Sequence, residues 1–255
     1  MSTAPRQGEY PTTGSDRDPI AVVGIGCRFP GSAGPDDYWR FLIEGGNGVV
    51  DSLADRIDAS LYDAEPGTPG KLYARHLGAL DDIDTFDPDF FAIARREAAS
   101  IDPQQRLLLK VAWEALEHAA IAPDDLAGES VGTFVGAFSD DYAQARLYGR
   151  DVRQVDGYTS LSVLRGLAAG RIAYTLDLHG PAMTVDTACS SALLAIHLAC
   201  RALWAGECDA ALAGGVNLAL SPEVTLSLCQ LRALSRTGAC RTFDAAADGY
   251  VRGEG

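Results

Sequence analysis

Short uncharged apolar runs alternate with segments of helical length along most of the chain, and this alternation is the strongest constraint on the fold. The runs that predict strands lie at 19–26, 131–136, 181–185 and 210–217. The segments that predict helices lie at 35–42, 102–119, 161–174, 189–205 and 221–231. Strands that alternate with helices form parallel sheets covered on both faces. The sequence therefore predicts the α/β class.

The segment at 102–119 carries the clearest helix signals in the chain. Asp102 is placed to cap the helix, Pro103 stands in its first turn, and apolar residues recur on one side. Residues 47–86, by contrast, are rich in Gly, Asp and Pro and have weak periodicity. We expect them to form an extended excursion at the surface.

Charge limits the partners that this chain can have. It carries 21 basic and 35 acidic residues, a formal net charge of −14 with neutral histidines. Nucleic acids and anionic membranes both need a basic face, so neither is expected as a partner.

The longest uncharged runs, 187–200 and 210–222, are shorter than the roughly 18 residues that span a bilayer. We therefore expect a cytoplasmic protein. The six cysteines form no CxxC pair and should be reduced in that compartment.

The two ends of the chain differ from its middle. Residues 1–17 are polar and lack apolar periodicity, which predicts a flexible leader and excludes a secretory signal. The last residues, 249–255, have neither a capped helix nor a polar tail. We therefore divide the chain into a leader at 1–17 and one domain at 18–255, and we expect this domain to be truncated at Gly255.

The strongest chemical motif is TVDTACSSA at 184–192, where a predicted strand runs through a short turn into an apolar helix. Cys189 stands at the N-terminus of that helix, where backbone N–H groups and the helix dipole favour an anion. Such a position favours the thiolate, which is the nucleophilic form of cysteine. Small neighbours leave room for a substrate, as at other strand–nucleophile–helix elbows. The motif predicts a catalytic Cys189, with a buried structural cysteine as the alternative.

Other candidate sites are weaker. Glycines at 24–31 follow a predicted strand, but Phe29 and Ser32 stand where nucleotide-binding loops need glycine and lysine. The four histidines have no metal-ligand spacing, and the cysteines form no zinc motif. We therefore expect no directly bound cofactor and no metal, and we expect structural roles for His118 and His197, which lie within predicted helices.

Four segments together resemble one enzyme family. VDTACSS at 185–191 is similar to the active-site signature of β-ketoacyl synthases, in the form used by type I polyketide synthases. The segments at 18–31, 101–109 and 243–255 resemble further parts of such ketosynthase domains, in the same order. The resemblance covers residues 18–255 and identifies them as a β-ketoacyl synthase N-terminal domain.

The resemblance implies both a fold and a reaction. The fold is thiolase-like, and this chain is similar to the N-terminal half of its layered α/β/α/β/α architecture. The resemblance implies that Cys189 accepts an acyl chain from the phosphopantetheine thioester of an acyl carrier protein, with its own N–H as one oxyanion donor. A decarboxylative Claisen condensation with a malonyl-type extender then follows. The implied partners are the carrier protein, a second copy in a homodimer, and neighbouring polyketide synthase domains.

One part of the family pattern is missing from this sequence. The resemblance implies two catalytic histidines in motifs of the form HGTGT and NxGH, and neither motif occurs here. We expect these histidines in a C-terminal half that this sequence lacks. The prediction is thus a condensing acyltransferase that is incomplete by itself. The alternatives are a non-catalytic ketosynthase-like fragment or dimer partner, and another acyl-thioester enzyme of the same fold.

Overall fold

The structure is a computed structural model that describes residues 18–52, 56–147, 153 and 155–255. The leader predicted at 1–17 lies outside these residues. The helices are α1 (Pro35–Ile43), α2 (Arg95–Ala98), α3 (Pro103–His118), α4 (Asp141–Leu147), α5 (Thr159–Val163), α6 (Leu167–Thr175), α7 (Ser191–Ala205) and α8 (Glu223–Gln230). The strands are β1 (Val49–Asp51), β2 (His76–Gly78), β3 (Val131–Ala137), β4 (Ala182–Val185), β5 (Ala210–Val216) and β6 (Arg252–Gly253).

A parallel sheet in the order β4-β3-β5 forms the centre of the fold. Its register aligns Val131 with Ala210 at one end of β3 and Ala137 with Val216 at the other. Every residue of β3 is buried, as expected for a strand with helices on both faces. The predicted α/β class and the strands predicted around 131, 181 and 210 are confirmed. Because the strands are parallel, the loops at their carboxyl ends share one edge of the sheet.

Helices cover both faces of this sheet. On one face, α3 and α6 pack through a large apolar cluster that includes Leu109, Val135 and Ile172. On the other face, α7 packs through a second cluster around Phe134 and Ala195. Neighbouring residues of β3 therefore point into opposite clusters, as the alternation of side chains along a strand requires. The result is an α/β/α arrangement.

Helix α3 confirms the helix predicted at 102–119. The Asp102 carboxylate accepts the Gln104 backbone N–H at 2.8 Å and so caps the helix. Burial raises the pKa of this carboxyl. The Gln104 side chain donates to the Ser139 carbonyl and accepts the Leu218 N–H, at 3.3 Å each. The start of α3 therefore ties together the loops that follow β3 and β5.

Helix α7 buries small side chains against the sheet and exposes larger ones. Leu193 on its outward side is 73% exposed. The segment Ala188–Ala205 has 18 residues and is, by length and composition, apolar enough to cross a membrane. The sequence predicted no such segment, because only uncharged runs were considered and the run here ends before Arg201. Its packing on β3 and β5 makes it a helix of the domain core. The buried residues are Ser191, Ala195, Ala199 and Ala202.

The strand predicted at 19–26 is wrong. The backbone there is irregular, and Val22 is 80% exposed. The segment lies against α3 instead, since a Cβ on Gly24 would approach the Ala115 carbonyl oxygen to 2.3 Å. An apolar run predicts burial, but a strand also needs a neighbouring strand to complete its hydrogen bonds. Among the residues that the structure describes, this segment has no such neighbour.

The helix predicted at 161–174 is divided into α5 and α6. Leu164 has an extended backbone with ψ of 118°, and Arg165 and Gly166 form a turn after it. Glycine disfavours a helix interior, which supports a break at this place. The sequence pattern did not show this break, because both short helices bury residues in the domain and the apolar pattern continues from one to the other.

The excursion predicted at 47–86 contains regular structure, which corrects the prediction. Its strands form a second sheet in the order β1-β2-β6, with β2 antiparallel to β1 and parallel to β6. Leu72, Tyr73 and Ala74 are buried and form a small core with Cys229 and Leu234. These partners lie far away in the sequence, so local composition carried no sign of them.

Glu254 joins the second sheet to the loop after β5. Its carboxylate accepts the Leu80 N–H at 2.8 Å and the Ala219 N–H at 2.9 Å, and Arg56 lies 3.1 Å away. The side chain is fully buried. Because its oxygens are occupied by backbone donors and an arginine, Glu254 holds these segments together.

We predict that Gly136→Ala destabilises the domain. An added Cβ would lie 2.5 Å from backbone atoms of Ser191 and Ala192, which cannot move without shifting α7. Overpacking of this kind costs about 1–3 kcal/mol, so the midpoint of urea denaturation should fall. Gly214→Ala on β5 meets no atom within 4 Å and is the matched control. Equal midpoints for the two variants would contradict the prediction.

Candidate active site

The predicted nucleophile lies in a sharp turn between a strand and a helix. Strand β4 ends at Val185, a 3-10 turn spans Ala188–Ser190, and α7 begins at Ser191. Cys189 is exposed within this turn. The structure therefore places Cys189 at the strand–helix junction that the sequence predicts, at the carboxyl edge of the parallel sheet. We call residues 186–191 the elbow.

The residue before Cys189 has a left-handed backbone. Ala188 has a φ of 54°, which residues other than glycine rarely adopt. Such a conformation costs about 1–3 kcal/mol and persists only where surrounding contacts hold it. Asp186 supplies one such contact, because its Oδ1 accepts the Ala188 N–H at 2.9 Å. Strained backbone of this kind clusters at functional sites.

Hydrogen bonds from two serine side chains also close the elbow. The Ser191 hydroxyl accepts the Thr187 N–H at 2.8 Å and donates to the Ala188 carbonyl at 2.7 Å. The Ser190 hydroxyl donates to the Thr187 carbonyl at 3.0 Å. The small polar residues beside Cys189 therefore fix the backbone as well as leaving space for a substrate.

Helix α7 starts two residues after Cys189. Its N-cap residue, Ser190, forms no capping hydrogen bond with the helix through its side chain. The N–H groups of the first turn and the helix dipole therefore favour negative charge at this end. An oxyanion that develops at this end of the helix would be stabilised by the same field.

Two partners keep Asp186 ionised. The Ala188 N–H and then the Arg165 guanidinium, 2.6 Å from Oδ2, hold the pKa of this carboxyl below its usual range. An ionised carboxylate with both oxygens engaged orients the elbow backbone and does not transfer protons. Sequence reasoning missed Arg165. Its signal was available, because it is the one charged residue between 157 and 170.

The other five cysteines are in different settings. Burial raises the pKa of the Cys27 and Cys208 thiols, which keeps them protonated. Of the remaining three, Cys240 alone is exposed. Exposure therefore does not by itself single out Cys189, whereas its place in the elbow does.

The histidines lie apart from this arrangement. His118 accepts the Ile25 N–H at 3.3 Å through Nδ1, and His179 lies 3.1 Å from Asp177. Across the described parts of the chain, no hydrogen bond joins a histidine to the elbow. In the described residues, the elbow thus carries the predicted nucleophile, Cys189, without a histidine hydrogen-bonded to it. Within the same residues, no group of three His, Cys, Asp or Glu side chains could hold a metal ion.

A large open cavity extends from the elbow across one side of the domain. Its volume is about 1850 Å³, and its lining includes Cys189, residues 18–29, parts of α7 and β5, and residues 250 and 252–255. Ordinary ligand pockets have volumes of about 300–1,000 Å³. A cavity of this size and openness is an uncovered face of the domain, with Cys189 at its margin.

With the fold and the elbow described, the chain can be compared with known protein families. Residues 17–255 match the family model of the β-ketoacyl synthase N-terminal domain. The chain therefore belongs to the β-ketoacyl synthase family.

Its curated relatives include mycobacterial polyketide synthases. The chain is 51% identical over 240 residues to a phenolphthiocerol/phthiocerol polyketide synthase subunit of Mycobacterium tuberculosis. It is 48% identical over 239 residues to the mycocerosic acid synthase-like polyketide synthase of Mycolicibacterium smegmatis. Each alignment covers 93% of this chain, but only 13% of the first relative and 11% of the second.

Solved ketosynthase structures confirm the thiolase-like fold. The oxazolomycin ketosynthase domain from Streptomyces albus JA3453 matches with a TM-score of 0.84 and 39% identity, over 91% of this chain and 40% of that one. The ketosynthase from module 6 of the bacillaene synthase of Bacillus subtilis 168 matches with a TM-score of 0.80 and 38% identity. That match covers 92% of this chain and 38% of the other.

We predict that Ala188→Val destabilises the domain by about 2 kcal/mol, because a β-branched side chain does not tolerate a φ of 54°. The measurement is the free energy of unfolding from urea denaturation. Ala188→Gly is the matched control, since glycine adopts the left-handed conformation without a steric cost. An unchanged free energy for the valine variant would show that the elbow does not need this conformation.

Proposed function

We propose that this chain provides the nucleophilic half of a polyketide ketosynthase, an acyltransferase of the β-ketoacyl-ACP synthase type. The observation that carries the proposal is the exposed Cys189 in a strained elbow at the N-terminus of α7. The mycobacterial relatives are polyketide synthases, which supports an acyl chain on the phosphopantetheine of an acyl carrier protein as the substrate. No directly bound cofactor is part of the proposal.

The first step is transfer of the acyl chain to Cys189. The sulfur attacks the thioester carbonyl, and the tetrahedral oxyanion collapses with expulsion of the phosphopantetheine thiolate, which takes up the proton that Cys189 lost. The Cys189 N–H serves as one oxyanion donor, and the dipole of α7 favours the charge. The covalent thioester divides a difficult C–C bond formation into two easier reactions.

The second step is condensation with a malonyl-type extender. Loss of carbon dioxide generates a carbanion equivalent, which attacks the acyl carbon, and the C–S bond to Cys189 breaks as the C–C bond forms. This step needs the two histidines of the HGTGT and NxGH motifs, which are absent from the sequence. We place them in a C-terminal half of a longer polypeptide. The match to an N-terminal domain model and the 38–40% coverage of solved ketosynthase chains support this placement.

The uncovered faces of the domain fit such a second half. Leu193 and Ile196 expose apolar side chains on the outward side of α7, and the large cavity opens beside them. A large exposed apolar surface marks an interaction site in soluble proteins. A second α/β half packed against α7 would bury both features.

A second copy of the chain is the proposed partner at the β4 edge of the central sheet. Among the strands that the structure describes, β4 pairs with β3 on one side and leaves its other edge open. The four residues of β4 carry no charge. Exposed edges usually carry charges, prolines or bulges that block pairing. Pairing of two β4 edges around a two-fold axis would produce the homodimer.

The remaining partners and the compartment follow from the same class of enzyme. We propose the acyl carrier protein and neighbouring polyketide synthase domains as partners, and the cytoplasm as the location. All six cysteines are free, which suits a reducing compartment. The net charge of −14 does not suit nucleic acid or an anionic membrane.

We predict that an acyl-N-acetylcysteamine thioester, a small analogue of the carrier-bound substrate, acylates the full-length protein at Cys189. Peptide mass spectrometry locates the acyl group. Cys189→Ala should abolish the modification, whereas Cys240→Ala, at the other exposed cysteine, should retain it. The 255-residue chain alone should form no β-ketoacyl product with a malonyl thioester, because it lacks both histidine motifs.

Two outcomes would contradict this proposal. Absence of acylation at Cys189 in the full-length protein would favour the alternative, a non-catalytic ketosynthase-like fragment or dimer partner. A β-ketoacyl product from the 255-residue chain would show that the two histidine motifs are not required.

We predict that Met183→Lys prevents dimer formation, because two lysines would meet where the β4 edges pair. Met183 is 38% exposed, so the substitution should not disturb the monomer. Light scattering after size-exclusion chromatography measures the molar mass. Val50→Lys is the matched control, since Val50 is 48% exposed on β1, at the edge of the second sheet. A monomeric wild-type protein would contradict the proposed dimer.

A further inference from the structure

Arg165 occupies the turn between α5 and α6, at the same edge of the sheet as the elbow. Its Nε lies 2.7 Å from Asp140 Oδ1, and its Nη1 lies 2.6 Å from Asp186 Oδ2. Nη1 also donates to the Phe138 carbonyl at 2.9 Å. One guanidinium therefore connects three segments, which are the loop after β3, the α5–α6 turn and the elbow.

The link from Arg165 to the nucleophile passes through one carboxylate. Asp186 accepts from Arg165 through Oδ2 and from the Ala188 N–H through Oδ1. Because a carboxylate is planar, holding one oxygen also sets the direction of the other. Without Arg165, the Asp186 side chain is free to rotate toward solvent, and the left-handed Ala188 loses an acceptor that holds it.

Arginine suits this position better than another cation would. Its planar guanidinium presents donors in fixed directions and contacts two carboxylates and a carbonyl at once. Lysine would supply a point charge on a flexible stem, which attracts a carboxylate without fixing its orientation.

We propose that Arg165 is a positioning residue for Cys189. It holds Asp186, Asp186 holds the left-handed turn at Ala188, and the turn sets the direction of the Cys189 sulfur. The role in catalysis rests on the proposed function, in which Cys189 accepts the acyl chain. The effect on the geometry of the sulfur does not depend on that function.

The effect should fall on reactivity more than on stability. The side chains of Arg165, Asp140 and Asp186 are between 34% and 42% exposed, and exposed ion pairs contribute little to the free energy of folding. Misplacement of a reacting group by about 1 Å, however, can slow a reaction on the order of 100-fold. A partial relaxation of the elbow should therefore slow Cys189 about tenfold while the melting temperature changes little.

The test compares four variants of the full-length protein, which are Arg165→Gln, Arg165→Lys, Asp186→Asn and the double variant that combines Arg165→Gln with Asp186→Asn. The matched control is Arg95→Gln, which removes an exposed ion pair to Asp89 elsewhere on the surface. The first readout is the rate constant for alkylation of Cys189 by iodoacetamide, followed by peptide mass spectrometry. The second is hydrogen exchange at the Ala188 amide. The third is acylation by the acyl-N-acetylcysteamine thioester, separated into maximal rate and half-saturation concentration.

Arg165→Gln should lower the alkylation rate and the maximal acylation rate about tenfold, with little change in half-saturation concentration and faster exchange at Ala188. Arg165→Lys should give rates between those of wild type and the glutamine variant. The double variant should be no slower than Asp186→Asn alone, because the two residues act in series. Arg95→Gln should retain the wild-type rates.

Several results would overturn the proposal. One is that Arg165→Gln retains the wild-type rate of Cys189 alkylation and the wild-type hydrogen exchange at Ala188. Another is that the rate losses of the two single variants add in the double variant. A third is that Arg165→Gln lowers the melting temperature while exchange at Ala188 is unchanged. Failure of the proposed function has a different signature. In that case the wild-type protein is not acylated by the thioester, while alkylation of Cys189 and exchange at Ala188 still respond to Arg165, which supports the positioning role.

Discussion

The contact between the first turn of α7 and the two strands beneath it determines the geometry of the whole carboxyl edge of the sheet. Gly136 on β3 and Gly215 on β5 lie under the start of this helix, and a Cβ on Gly215 would come within 2.8 Å of the Ala192 side chain. Because neither strand has a side chain there, the helix backbone approaches the sheet directly. The start of α7, next to Cys189, is therefore positioned by close packing on these two glycines. The site has a rigid base even though Cys189 itself is exposed.

Buried polar groups hold the loops that surround this edge. Asp141 accepts the N–H groups of Leu220 and Ser221 at 3.0 Å each, and Gln104 and Glu254 bind backbone groups of the same loop after β5. A buried carboxylate is tolerated when donors satisfy its oxygens, and its removal leaves those donors unpaired. Such fully bonded networks restrict a loop more strongly than apolar contacts do. The rigid part of the site thus combines close packing below the elbow with polar anchors beside it.

Local sequence signals predicted the elements whose formation depends on near neighbours. The cap at Asp102, the buried strand β3 and the strand–cysteine–helix order around Cys189 all lie where the sequence places them. The same reasoning failed at 19–26, where an apolar run lies against α3 without joining the sheet, and at 161–174, where a turn interrupts the helix. In both places the outcome depends on contacts with distant segments. Apolar periodicity carries information about burial but does not identify hydrogen-bond partners.

Short-range patterns were enough to predict the α/β class and the place of Cys189 at a helix start, because strand–turn–helix order and apolar patterning act over a few residues. The way in which the elbow is held depends instead on long-range contacts. The left-handed Ala188 is stabilised through Asp186, and Asp186 is bound by Arg165, which is 21 residues away. The second sheet likewise depends on a contact between Leu80 and Glu254, across 174 residues. Such interactions follow from the three-dimensional arrangement of the backbone, since separations of this size leave no periodic trace in the sequence.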